Sequence, residues 1–460
     1  MLRGDSIDDA VVAQMVRRHI PGVSIAVVQG GAIVKAKGYG VKDLGNRDPV
    51  TSATLFLAGS VSKPVSAMGA LALVETGKMS LDADINTELK TWHLPENEFT
   101  KSNKVTLRRL LSHSGGATVH GFPGYAPGTP LPTLVQVLNG LPPANTPEIR
   151  VDLVPGSKWR YSGGGYVIVQ QAIIDITGES FPAYMRVSVL QPLGMTASTF
   201  EQPLPPDREW SAATGYLRGV SPVPGRWHVY PEMAPAGLWT TPSDLARFVI
   251  AVQQSLAGRA SPVITQAMTK EMLSPQKDVW GLGFALSGKG RSRRIGHNGR
   301  DQGFDTSLTA YCETGQGAVV MINSNDDSSA IARIAEAIAD AYGWPDYPHH
   351  KPLQPIEDCE PKVTEQVKQI MELAKSGTFD HNLYTEKLAN QIAPHLAAGG
   401  DARTDLIFYG AIKSVELLSR DTRDGGRQYS YRFTCEHEVL IVTCDYDKSG
   451  KIAFFSFLPE

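Results

Sequence analysis

Ser60-Val61-Ser62-Lys63-Pro64 is the stretch on which the reading of this chain turns. Residues three apart on a helix share a face, so a helix beginning here brings the Ser60 hydroxyl within reach of the Lys63 amine. A serine does not lose its proton near neutral pH, and it needs such a neighbour to become a nucleophile. Proline is tolerated in a helix only in the first turn, so Pro64 sets the start. The Ala-, Leu- and Met-rich run to Thr76 continues the helix, with Gly77 as its C-cap. Spacing alone is a weak signal, because Ser274-Pro275-Gln276-Lys277 repeats it. There a proline lies between the partners and no companion motif follows, so that copy reads as loop.

Around this stretch the apolar periodicity predicts a helix over Ser6–Ile20, stopped by Pro21-Gly22. Strands follow at Val23–Val28 and Ala32–Gly38, joined by the turn Gln29-Gly30-Gly31. The Pro- and Gly-rich stretch Gly115–Gly156 reads as an irregular wrap, of the kind that often borders a binding site. Thr241-Pro242-Ser243-Asp244 carries the signature of a helix start: cap, proline at the first position and an acid in the first turn. Strand signals return at Arg294–Gly296, Asp305–Cys312 and Ala318–Asn323, and a helix is expected from Ser328 to Tyr342. Strands at both ends with helices between them predict one sheet built from distant segments, beside a helical subdomain.

The expected division is a first domain over residues 1–345, a Pro-rich linker over 346–355 and a small α+β domain over 356–460. In the last, helices are predicted at Lys362–Ser376 and Leu383–Ala397, then alternating strand-like runs at Ala402–Leu418, Gln428–Cys435, Val439–Tyr446 and Ile452–Leu458. Its pattern resembles the cystatin- or NTF2-like folds. It carries no nucleophile, metal cluster or phosphate loop, and a packing or homodimerisation module is the expectation, with cover for the active-site mouth as the alternative.

Composition narrows the function classes. The chain has 460 residues, 42% hydrophobic and 20% charged, with a formal net charge of −3. So balanced a charge offers nothing to attract nucleic acid or an anionic membrane. No apolar run approaches the ~20 residues that span a bilayer. Met1-Leu2-Arg3-Gly4-Asp5 lacks the apolar stretch of a signal peptide, so the expected compartment is periplasmic or secreted if a leader has been trimmed, and cytoplasmic otherwise. Cys312, Cys359, Cys435 and Cys444 show no C-x-x-C pairing, which argues against a disulfide framework or a zinc site. Cys435 and Cys444 are read as small buried side chains on neighbouring strands, and His349-His350 as an exposed linker pair. No cofactor or metal motif is found, and G-x-S-x-G is absent.

Two further elements give Ser60 and Lys63 their context: Tyr161-Ser162-Gly163-Gly164-Gly165-Tyr166 and His297-Asn298-Gly299. Serine-x-x-lysine, then tyrosine-x-asparagine, then lysine or histidine-x-glycine is the order found in penicillin-recognising serine enzymes. From Ile7 to Tyr342 the chain resembles the class C β-lactamase group, with its DD-peptidases, D-aminopeptidases and family VIII carboxylesterases. Leu110-Leu111-Ser112-His113-Ser114-Gly115, Pro155-Gly156, Gln191-Pro192-Leu193-Gly194-Met195 and Ala236-Gly237-Leu238-Trp239-Thr240-Thr241 carry the same resemblance.

That resemblance implies an α+β, β-lactamase/transpeptidase-like fold, an antiparallel sheet flanked by helices. It implies Ser60 as nucleophile, Lys63 and Tyr161 as proton carriers, and an oxyanion hole from the N–H groups of Ser60 and Arg300, after Gly299. Lys63 is expected to have a lowered pKa from its place at a helix N-terminus, and His113 to be structural. The plainer readings are a helix cap for Ser60, a packing tyrosine for Tyr161 and a satisfied strand histidine for His297. They explain each residue singly but not the ordered set. Two departures bear on substrate. Gly163 stands where the group has an amide that grips the acyl side chain, and His297 stands where many members have lysine. At its ordinary pKa of ~6.5 a histidine gives partial positive charge for a substrate carboxylate. Both departures weaken polar recognition, so the expectation is a carboxylesterase on small esters. The alternatives are a D-aminopeptidase, DD-peptidase or weak β-lactamase on amides or β-lactams, and a non-catalytic penicillin-binding-like sensor.

Overall fold

Segments from opposite ends of residues 22–322 build the central sheet. The computed structural model describes residues 3–217, 220–325, 329–349, 353–397, 401–423 and 426–459. Met1, Leu2, Ser328, His350, Lys351 and Pro352, all within stretches named above, lie outside the described residues. The chain divides into two compact units, Met1–Pro348 and His349–Glu460.

In the first unit, strands β1 (Gly22–Gln29), β2 (Ala32–Gly40), β3 (Ala285–Ser287), β4 (Arg294–Asp301), β5 (Phe304–Tyr311) and β6 (Gly317–Ile322) form one sheet in the order β2-β1-β6-β5-β4-β3. Each neighbouring pair is antiparallel, and β1 meets β6 in the register Val23↔Ile322 to Val28↔Gly317. Successive side chains on a strand point to opposite faces. Val23, Ile25 and Val27 therefore pack with Ile7, Val11, Ile334 and Ile338 from helices α1 (Arg3–Arg18) and α5 (Ser329–Tyr342). Ala26 and Val28 face the other way, against Ala246 of α4 (Pro242–Leu256). Both faces are covered, which is why β1 reads as a nearly continuous apolar run, broken only by the buried Ser24. Each such valine or isoleucine contributes roughly 1.5–3 kcal/mol by leaving water. This is the β-lactamase/transpeptidase-like arrangement expected from the sequence.

Beyond the second face lies the helical subdomain. Helix α2 (Ser62–Glu75) is buried without a break from Ser62 to Leu71. A helix apolar on every side belongs at the centre of a domain. Pro64 sits in its first turn, and Ser60 lies just ahead, in the 3-10 turn Gly59–Val61. Helix α3 (Gly163–Thr177) starts two residues after Tyr161, capped by Ser162, whose hydroxyl accepts the Gly165 N–H at 3.0 Å. Thr241 caps α4 in the same way, its hydroxyl accepting the Asp244 N–H at 3.1 Å.

The second unit holds α6 (Pro361–Ser376), α7 (Glu386–Leu396) and α8 (Asp401–Tyr409). They are followed by a four-stranded antiparallel sheet of β7 (Ile412–Arg423), β8 (Gly426–Cys435), β9 (Val439–Tyr446) and β10 (Ile452–Pro459) in sequence order. One face of the sheet buries Tyr429, Tyr431, Phe433, Leu440 and Val442 against Val367, Ile370 and Met371. Ala402–Leu418 is not a single strand-like run as its alternation suggests. Leu406 and Tyr409, one turn apart, bury as a helical pair. Gly410 then reverses the chain at φ +78° before β7 begins. Cys435 and Cys444, on β8 and β9, are buried and unbridged. Among the described residues no helix is long and apolar enough to cross a membrane.

What positions the site is the approach of β4 to the turn carrying Ser60. A Cβ at Gly299 would lie 1.9 Å from the Ala58 carbonyl oxygen, and one on Gly59 would lie 2.5 Å from the Arg300 nitrogen. Gly59 also has φ +52°, a left-handed conformation that favours glycine. The Gly299→Ala variant is therefore expected to lose about 1–3 kcal/mol or more of stability through overpacking, seen as a lowered melting temperature in thermal unfolding.

Candidate active site

The turn ahead of α2, the segment leading into α3 and strand β4 meet around a cleft of about 730 Å³. Ser60, Tyr161, His297, Gly299 and Arg300 line it. Behind Ser60, the Lys63 Nζ donates to Ser60 Oγ at 2.8 Å and to the Pro235 carbonyl at 3.0 Å. Lys63 is only 2% exposed. Its amine lies 4.9 Å from the centre of the Tyr161 ring and 5.8 Å from that of Tyr166. The Ala236–Thr241 motif adjoins this place because its chain segment closes over α2. Leu238 N–H donates to Ser62 Oγ, and Ser66 Oγ donates to the Ala234 carbonyl.

Burial decides the electrostatics. It pushes the Lys63 amine down from its ordinary 10.5 to about 7, against an opposing pull from Asp301. Desolvation is thus the largest cause of the lowering. Burial also drives Asp301 well above the usual carboxylate range, which disfavours the charge that would hold a proton on Lys63. The Tyr161 phenol is raised by the same cause, partly offset by a hydrogen bond with Ser60. It therefore stays protonated near neutral pH and can relay a proton, while the neutral Lys63 can accept one.

His297 departs from its expected character. Burial, with the Lys63 charge adding to it, lowers its pKa to about 3. It carries no positive charge near pH 7 and supplies none for a substrate carboxylate. Its Nδ1 lies 2.6 Å from the Asn298 carbonyl, which can only accept, so the proton sits on Nδ1 and the buried Nε2 keeps its lone pair. The Arg300 guanidinium, at the rim, is bound at two points by the buried Asp305, Nε to Oδ1 at 2.7 Å and Nη2 to Oδ2 at 2.8 Å.

Gly163 is not among the lining residues. A Cβ there would lie 2.9 Å from the Phe122 ring and 3.1 Å from the His120 carbonyl. At Gly164 it would lie 2.5 Å from the Thr118 carbonyl, so the glycines admit the 118–122 segment. That segment, inside the irregular stretch, brings His120 and Phe122 to the cleft. His113 packs on Tyr161 with ring centres 4.3 Å apart, and its Nδ1 accepts the Ser162 N–H at 3.2 Å. It holds the tyrosine in place. Ser274 and Lys277 do not line the cleft. Sequence reasoning missed Asp301, Phe122, Trp159 and Trp280. Trp159 stands two residues before Tyr161 and Asp301 directly follows Arg300, the local signals available; Phe122 and Trp280 arrive from elsewhere in the chain. Among the described residues no cluster of three or more His, Cys, Asp or Glu could hold a metal ion.

With Lys63 as the proton acceptor, kcat/KM for acylation should rise with pH as the ammonium is lost, with a midpoint near 7. The stability consequence has the same origin. The unfolded state holds the Lys63 proton up to about 10.5 and the folded state only to about 7, so the destabilisation is full below 7 and fades between these values. Lys63→Met should abolish activity yet raise the melting temperature by at least ~2 °C at pH 6, the gain shrinking at pH 9. A pH–rate profile and thermal unfolding at the two pH values check both expectations.

Comparison with known proteins agrees with this geometry. The Beta-lactamase family profile matches residues 7–342. Protein flp of Staphylococcus aureus (strain N315) is 24% identical over 342 residues, covering 70% of this chain and 63% of flp. The chain thus spans less than two thirds of that relative's length. Penicillin-binding protein 4* of Bacillus subtilis (strain 168) is 23% identical over 442 residues, 87% of this chain and 90% of that protein. Among solved structures, the octameric penicillin-binding protein homologue from Pyrococcus abyssi superposes with a TM-score of 0.61 at 19% identity, over 98% of this chain and 95% of its own. The D-alanine carboxypeptidase AmpC from Burkholderia cenocepacia gives 0.59 at 20% identity, over 74% of this chain and 99% of its own. At these identities the two structures speak for the fold. With the profile spanning nearly the whole first unit, the chain belongs to the beta-lactamase family, a family of serine hydrolases related to the penicillin-binding proteins.

Proposed function

We propose that this protein is a carboxylesterase that hydrolyses small uncharged esters through an acyl-enzyme on Ser60. Ser60 Oγ attacks the ester carbonyl as its proton passes to neutral Lys63. The N–H groups of Ser60 and Arg300 receive the oxyanion. The tetrahedral adduct collapses, the ester C–O bond breaks, and the leaving alkoxide takes the proton from Lys63 through Tyr161. Water then repeats the sequence in reverse roles, freeing the acid and restoring the Ser60 hydroxyl.

The observation that carries this reading is that, among the described residues, the cleft wall beyond Lys63 offers no available cation. His297 is neutral, burial and the Lys63 charge disfavour a proton on His120, and Arg300 is occupied by Asp305. A β-lactam or a peptide ending in D-alanine brings a carboxylate that needs such a cation. The position of the amide-gripping side chain is also empty of one, because Gly163 lies under Phe122. The names of the relatives favour the runner-up, a peptidase or lactamase on the same residues.

Ser60→Ala should lower short-chain ester turnover at least about 10³-fold and abolish labelling by a fluorophosphonate. Full activity in that variant would refute the nucleophile. Turnover of a chromogenic cephalosporin or a D-alanyl amide well above that of esters would refute the substrate class. His297→Lys should shift the ratio of cephalosporin to ester turnover upward by about tenfold, since it places a charge opposite the substrate carboxylate.

A further inference from the structure

One wall of the cleft takes no part in the acyl transfer. The indoles of Trp159 and Trp280 stack with centres 5.7 Å apart and planes inclined by 24°. Trp280 stands edge-on to His297 at 5.4 Å and lies 6.0 Å from the Tyr161 ring, while Trp159 lies 6.5 Å from it. Both indoles line the cleft and are only partly buried, so ring surface faces the open space. No carboxylate is among the lining residues, and the Lys63 amine lies over the neighbouring Tyr161 ring, so this wall offers a cationic guest no counter-charge. Flat rings attract one another in offset or edge-on arrangements at 4.5–7 Å, an attraction that a saturated ring of equal size lacks.

The position of these rings assigns them to one half of the substrate. The oxygen that leaves during acylation must be protonated, and Tyr161 and Lys63 are the groups that carry the proton. Trp159 and Trp280 pack around the Tyr161 ring, so the group attached to the leaving oxygen lies against them. We propose that Trp159 and Trp280 form a leaving-group subsite that selects esters of uncharged, aryl-bearing alcohols over saturated alcohols of the same size. This deepens, and rests on, the esterase reading above.

Benzyl acetate and cyclohexylmethyl acetate share an acyl group and differ only in the flatness of the alcohol ring. The full-length protein should favour the benzyl ester in kcat/KM by about tenfold. Trp280→Leu and Trp159→Leu should each cut that ratio to about two, and Trp280→Phe should keep most of it; the ratio, not either rate, is the readout. Equal kcat/KM for the two esters, or an unchanged ratio in both leucine variants, overturns the subsite. Binding needs no turnover, so saturation-transfer NMR on the Ser60→Ala variant separates this proposal from the esterase reading. Benzyl alcohol should show transfer and cyclohexylmethanol should not, and the signal should vanish when Trp280→Leu is added. Failure of all acetates to react overturns the esterase reading, whereas absent or equal transfer from the two alcohols overturns the subsite whatever the esters do.

Discussion

The amine of Lys63 has to stay dry, and most of the site follows from that. In water it would hold its proton near pH 7 and could not accept one from Ser60. Enclosed by α2, the Pro235 carbonyl and the faces of Tyr161 and Tyr166, it sits near the pH at which it can both take and return a proton. The same desolvation raises the Tyr161 phenol and strips charge from His297. One cause thus sets three protonation states. It also exacts stability, because a buried amine is tolerated only when the surrounding packing over-determines it.

That packing depends on places where backbone must touch backbone. Gly299 and Gly59 let β4 lie against the turn carrying Ser60, which brings the Ser60 and Arg300 residues to one edge of the cleft. Gly163 and Gly164 let the 118–122 segment close over the start of α3. In both cases a missing side chain permits a contact, and the contact shapes the cleft. The gap left by the glycine at 163 is filled by Phe122, so an exchange that reads in sequence as a lost amide is in space a gained aromatic surface.

Membership of the beta-lactamase family accounts for the fold and the nucleophile but not for the charge of the pocket. The wall carries aromatic rings, two histidines whose charge burial disfavours and an arginine neutralised by Asp305. Such a wall recognises shape and polarisability more than charge. The second unit adds a helix-covered sheet with a separate core.

Local patterns were legible wherever physics is local. Pro64 placed the start of α2, Thr241 and Asp244 the start of α4, and the short apolar, β-branched runs of β1, β5 and β6 the central sheet. The ordered motifs named Ser60, Lys63, Tyr161, His297, Gly299 and Arg300, which the fold gathers at one place. Ala402–Leu418 misled because alternation alone cannot register Leu406 and Tyr409 turning inward together on a helix. Identity, order and element type therefore belong to the sequence, since they rest on spacing and backbone preference. The protonation state of His297, the cause of the Lys63 shift, the partner of Arg300 and the meeting of Trp159 with Trp280 do not. Each depends on how much water is excluded and on which distant segments meet, and only the tertiary structure decides those.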